Sequence, residues 1–233
     1  MYICIVLKIK VMATTKKTKA SNAMIDDKSI ISLYMNFVLE HQSTPKNVYT
    51  FCKDNGIEES QFYSFFGSFD SLRQNIWVKF FENAIATIEK EAAFESYSNK
   101  NKLLTLYFTL FEILTLNRSY VLYSLKENNE GLKNLKDLKL LRKEMKDFVV
   151  TIMQSNLEKN NDKLSRVTEP VFSEGAWIQF LFILKFWMDD TSKSFEKTDV
   201  LIEKSVNTVV DLLDTKPLES LFDLGKFLWK INK

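Results

Sequence analysis

Apolar residues along this chain recur at steps of three and four, with no sustained alternation, so the chain reads as a succession of helices. The stretch 47–72 carries the densest local signals. Asn47 is placed to cap a helix whose buried positions are Val48, Phe51 and Cys52, and Asn55-Gly56 supplies the left-handed residue that stops it. Ile57 plugs the turn. Glu58 and Glu59 open the next helix, where carboxylates suit the positive end of the helix dipole, and Phe62, Tyr63 and Phe66 follow on it. Gly67 ends that helix, and Ser68 caps a third that is predicted to run to residue 93. Two short helices around a glycine turn predict a helix-turn-helix, the unit that lays its second helix in a DNA major groove.

Beyond this head the helical period continues. Residues 101–116 are apolar almost all round, with Glu112 the one charge among them, and 118–126 follow as a short helix. A longer helix is predicted over about 131–158, with Leu135, Leu138, Leu141, Met145, Phe148, Val149 and Ile152 on one stripe. Residues 160–170 read as the most polar linker. The segment 173–190 is apolar on every side except at Gln179 and Lys185, and 198–214 is more amphipathic. A helix that is apolar all round must lie in a core or an interface.

From Pro217 a last helix is predicted. Its charges, Glu219, Asp223, Lys226, Lys230 and Lys233, share one face, and Leu221, Phe222, Leu228 and Trp229 help fill the rest. That wide apolar face suits a membrane surface, a partner groove or the chain's own bundle.

Composition sharpens the fold class. Five Gly and three Pro in 233 residues leave little material for hairpins, and 45% apolar content is enough for a sizeable core. The fold class expected is all-α. Two cysteines, Cys4 and Cys52, form neither a disulfide framework nor a metal motif, which fits a reducing cytoplasm. The net charge of +2 is uninformative, but its distribution is not. Lys8, Lys10, Lys16, Lys17 and Lys19 precede the first predicted helix, in a segment (1–24) that reads as a disordered arm or a tag remnant. From residue 25 to 75, Lys28, Lys46, Lys53 and Arg73 stand against Asp26, Asp27, Glu40, Asp54, Glu58, Glu59 and Asp70, a net charge of −3.

The head resembles the amino-terminal domain of the TetR family of bacterial ligand-responsive repressors. The resemblance rests on Val48, Phe51, Cys52, Gly56, Ile57, Phe62, Tyr63, Phe66, Ser68, Asp70 and Leu72, most of them core positions. It implies a TetR-type fold: a helix-turn-helix domain at 25–72 and a helical ligand-binding and dimerisation domain at 73–215, with the amphipathic helix predicted at 216–233 lying beyond it. It also implies a transcriptional regulator that binds DNA as a homodimer and responds to a hydrophobic small molecule. By resemblance, DNA contacts come from Lys46, Asn47, Gln61, Tyr63 and Ser64, and the helices at 173–190 and 198–214 pair with their copies. The departures fall at contact positions. Phe65 stands where the family has His or Tyr, and Phe69 where it has Lys.

Those departures and the acidic head feed a second resemblance, in architecture alone, to the TetR-fold lipid-binding accessory proteins of ubiquinone biosynthesis. Such proteins bind no DNA and touch the membrane through a terminal helix. Either resemblance implies an apolar site in the second domain, for which Tyr107, Phe108, Phe111, Glu112, Tyr123, Trp177 and Phe180 are the candidate lining, though such aromatic stripes also serve as ordinary core. Catalysis finds no footing. His41 is the single histidine, and no phosphate loop, nucleophile elbow or HExxH is present, so neither an enzyme nor a cofactor or metal is expected.

Overall fold

The computed structural model describes residues 25–126, 135–157 and 165–213. Helix is the sole regular structure among them, so the protein is all-α. Its helices are α1 (Asp27–His41), α2 (Val48–Asn55), α3 (Glu59–Phe65), α4 (Phe69–Ile88), α5 (Asn99–Leu116), α6 (Arg118–Lys126), α7 (Lys139–Leu157), α8 (Ser165–Asp189) and α9 (Glu196–Leu213). The arm at 1–24 and the terminal segment at 216–233, with Leu221, Phe222, Leu228 and Trp229, lie outside the described residues.

The first three helices close over Phe51, Cys52, Ile57 and Phe62, all buried. Phe69, the first residue of α4, packs edge-on against Phe51 and Phe62, 5.6 and 5.5 Å between ring centroids. An aromatic where the family carries lysine is thus part of the head's core. From there α4 runs unbroken into the second half of the molecule, burying Ile76, Trp77, Phe80, Phe81, Ala84 and Ile88 against α5 and α7. It ends earlier than the predicted residue 93. After Ile88 the next apolar residue that must be buried is Phe94, and a turn folds it inward.

Two other boundaries differ from expectation. The predicted helix at 131–158 starts at Lys139, because Leu135 to Leu138 form turns in which Asp137 is drawn inward to Arg73. The predicted linker at 160–170 overlaps α8, which begins at Ser165 and carries Pro170 within it. At the sixth helical position Pro170 removes the N–H that would bond back four residues, so α8 forfeits one backbone bond in its second turn.

The second half is organised by three helices. Tyr107 on α5 donates to the Ala176 carbonyl on α8 at 2.8 Å, and Trp187 Nε1 donates to Thr115 at 3.0 Å, so α5 and α8 run in parallel. Gln179 on α8 donates to Ser205 at 3.0 Å, and Asp190 accepts from Thr198, so α9 returns antiparallel to both. Arg118 fixes the α8–α9 corner. Its guanidinium lies 4.3 Å from the Trp187 ring and 4.5 Å from Phe195, and it donates to the Trp187 and Met188 carbonyls at the end of α8. Asp190 accepts four bonds from Ser192 and Thr198. Burial works to raise its carboxyl, but those bonds prevail and hold it at about 2.

Beside the packing of α1 on α6 and the Asp27–Lys79 ion pair at 3.0 Å, a buried polar cluster ties the head to the rest. Asp137 is buried and accepts from Arg73 Nε at 3.0 Å, while Arg73 also reaches Asp70, which Lys136 contacts at 2.8 Å. Burial pushes the Asp137 carboxyl up against the pull of Arg73. Removing the cation leaves a buried, uncompensated carboxylate, so Arg73→Ala should destabilise the fold by about 3 kcal/mol. Urea denaturation checks this, and a change near zero would show that water replaces the guanidinium at no cost.

Candidate nucleic-acid interface

The helix-turn-helix forms by local rules. Asn47 Oδ1 accepts from the Thr50 N–H at 2.8 Å and starts α2. Gly56, at φ +68°, occupies the left-handed region that ends α2, and its N–H returns to the Cys52 and Lys53 carbonyls. Ile57 then plunges into the core with its N–H on Cys52 O at 2.9 Å. At the start of α3, Glu58 and Gln61 form a reciprocal capping box, in which the Gln61 side chain accepts from the Glu58 N–H at 3.0 Å. Ser68 accepts from the Ser71 N–H to begin α4.

The residues expected to meet DNA therefore divide. Asn47, Gln61 and Ser64 are engaged within the head: Asn47 as the cap of α2, Gln61 in the capping box, and Ser64 by donating to the Gln61 carbonyl at 2.7 Å. Lys46 and Tyr63 are exposed, Tyr63 at 52%. Phe65 is 45% exposed on the same helix, and Tyr49 on α2 is exposed with Lys53 lying 5.9 Å above its ring. The outer face of the head is thus aromatic, with lysines at α2 and carboxylates at Glu58 and Glu59. Phe65 and Tyr49 had no place among the expected contacts. Phe65 stands out in the sequence as a departure from the family pattern, and Tyr49 falls off the face marked by Val48, Phe51 and Cys52.

The second candidate site, the apolar lining, also divides. Tyr107, Phe111, Trp177 and Phe180 are buried and come together: Phe111 and Phe180 centroids lie 5.8 Å apart, Trp177 and Phe180 5.4 Å. Burial raises the Tyr107 hydroxyl well above the phenol range, so it stays a donor to Ala176. Gln179 is buried beside it and continues the hydrogen bonding to Ser205. Tyr123 is half-buried on α6. Phe108 and Glu112 correct the expectation. Both face solvent, since α5 turns its 103, 106, 107, 110, 111 and 114 positions inward and leaves 108, 112 and 116 outside. An open groove of about 480 Å³ instead lies at the α8–α9 corner, lined by Phe182, Lys185, Phe186, Asp189, Asp190, Thr191 and Lys197.

Ile178 and Phe182, 60% and 57% exposed, continue with Phe186 as an apolar stripe one turn apart on α8. Among the described residues no helix is long and apolar enough to cross a membrane.

A family model described as "Tetracyclin repressor-like, C-terminal domain" matches residues 102–228, more than half of the chain. The chain belongs to the TetR family. The match begins within α5, takes in the described helices through α9 and runs on into the terminal segment, so it places the family likeness in the second half of the chain. No curated protein matches the chain significantly.

Because Gln61 is committed to the capping box, Gln61→Ala should lower stability by about 1 kcal/mol. Thermal denaturation reads this. An unchanged melting temperature would release Gln61 from its structural role and return it to the set of base-reading residues.

Proposed function

We propose that this TetR-family chain is a transcriptional regulator that binds DNA as a homodimer and responds to a hydrophobic small molecule. The observation that carries the reading is the helix-turn-helix itself, with its glycine turn, its capped helices and Tyr63 exposed on the second of them. Lys46, Lys53 and the basic arm are the phosphate-neutralising groups. The carboxylates of Glu58 and Glu59 weaken non-specific attraction, so binding depends on a fitted site more than on general charge. The α8 stripe supports pairing with a second copy, because an apolar row at this spacing matches its own image across a two-fold axis. The effector is supported by Trp77, buried in α4 beside Phe80 with an indole N–H that meets no acceptor among the described residues. An apolar molecule with one acceptor atom would satisfy it.

The acidic head and its exposed aromatics favour a second reading, a TetR-fold lipid-handling protein without DNA binding. Gel-shift titration against the gene's own upstream region, with random DNA alongside, separates the two. The regulator reading expects site-specific binding that weakens steeply as salt rises and is lost when Phe182→Glu and Phe186→Glu break the dimer in sedimentation. Equally feeble binding to both DNAs by an intact dimer would overturn it, and co-purified lipid seen by native mass spectrometry would favour the second.

A further inference from the structure

The outer side of α3 has a composition that restricts which bases it can read. At about 100° per residue, the buried Phe62 and Phe66 mark the inner side of the helix. The exposed Ser60 and Ser64, one turn apart, mark the opposite side, and the exposed Tyr63 and Phe65 stand on the two flanks of Ser64. Each ring is braced from behind by the core. Tyr63 meets Phe62 edge-on with centroids 5.5 Å apart, and Phe65 leans on Phe66 at 6.4 Å. Two aromatic rings thus border a narrow ridge of serines.

The polar groups of α3 are few, and most are engaged within the head. Gln61 is held in the capping box, where the Glu58 side chain accepts from the Gln61 N–H, and the Ser64 proton goes to the Gln61 carbonyl at 2.7 Å. The helix contains no Arg, Lys or Asn. Guanine is read in the major groove by paired donors on its O6 and N7 atoms, and adenine by a free carboxamide on N6 and N7. Neither device is available on α3. Two features of a base pair still register on such a face: the thymine methyl group, which takes apolar contact, and the adenine N6 amino group, which can donate to a serine hydroxyl. An A·T pair presents both in the major groove. A G·C pair has no methyl group and sets two guanine acceptors against a helix without a cation.

We propose that α3 selects A·T pairs, with Phe65 and Tyr63 packed on thymine methyl groups and Ser60 accepting from an adenine amino group. The proposal rests on the DNA-binding reading given above and adds which base pairs that surface selects and which residue decides. Phe65 is the discriminating residue, because its ring offers neither donor nor acceptor to a phosphate or a polar base edge. Tyr63 can also reach a phosphate through its hydroxyl, so its effect divides between affinity and selection.

Replacing thymine by uracil removes the methyl group and leaves every hydrogen-bonding atom of the base in place. The gene's own upstream region, amplified with dTTP or with dUTP, is titrated with the full chain at fixed salt, and random DNA of both kinds is run alongside. The proposal expects the uracil form of the upstream region to bind more weakly, by about fourfold for each contacted methyl group lost. Random DNA should bind alike in both forms. Phe65→Ala should weaken binding to thymine DNA and shrink the thymine-to-uracil ratio, whereas Phe65→Leu, which keeps an apolar contact, should retain most of it. Circular dichroism checks that these variants, altered at an exposed position, stay folded. Site-specific binding that is equal for the two forms would overturn the inference and leave the regulator reading standing. A ratio that Phe65→Ala leaves unchanged would do the same. No preference for the upstream region in either form would overturn both.

Discussion

One helix belongs to both halves of this molecule. The first turn of α4 completes the head, through Phe69 against Phe51 and Phe62, and its later turns carry Ile76, Trp77, Phe80 and Ile88 into the packing with α5 and α7. A straight helix transmits displacement along its axis, so the head's orientation is set wherever α4 is held. It is held near its start by Arg73, whose guanidinium spans the Asp70 carboxylate of its own helix and the buried Asp137 before α7. An Asp–Arg contact of this kind adds little net stability over an apolar pair, but breaking one side of it is costly, so it favours one arrangement of head and body over its neighbours.

The parts of the fold legible in the sequence are those decided within a few residues. Asn47, Gly56 and Ser68 act through their own hydrogen bonds or backbone conformation, and each does what its position implies. What was not legible depends on distant partners. The end of α4 follows from Phe94 finding a place in the core, and the late start of α7 from Asp137 reaching Arg73. The interior face of α5 was faintly marked: apolar residues lie almost all round, and Glu112 alone signals the outer side that Phe108, one turn away, shares. The family resemblance implied that Gln61 and Ser64 read DNA, yet both side chains hydrogen-bond within α3 and its cap.

Those commitments bear on what the head can recognise. A recognition surface reduced to Tyr63, Phe65 and Ser60, bordered by Glu58 and Glu59, offers few donors to base edges and repels phosphate. Lysines at α2 and in the arm can supply the general attraction, and a tyrosine can donate to a single phosphate. On the proposed DNA-binding reading, specificity on such a surface would come from shape and apolar contact with thymine methyl groups more than from paired hydrogen bonds. The second half, by contrast, carries the family likeness over residues 102–228, with a polar thread from Tyr107 through Gln179 to Ser205 set in an aromatic interior.

The central claim is that head and body form one mechanical unit through α4 and its Arg73–Asp137 attachment, with α1 packed on α6 alongside. Native-state hydrogen exchange measures this directly. If the claim holds, the slowest amides of α2 and α3 should open with the same free energy and the same denaturant dependence as those of α4 and α5, in a single cooperative event. A head whose amides all exchange through a separate opening, at lower free energy and with a smaller denaturant slope, would contradict it.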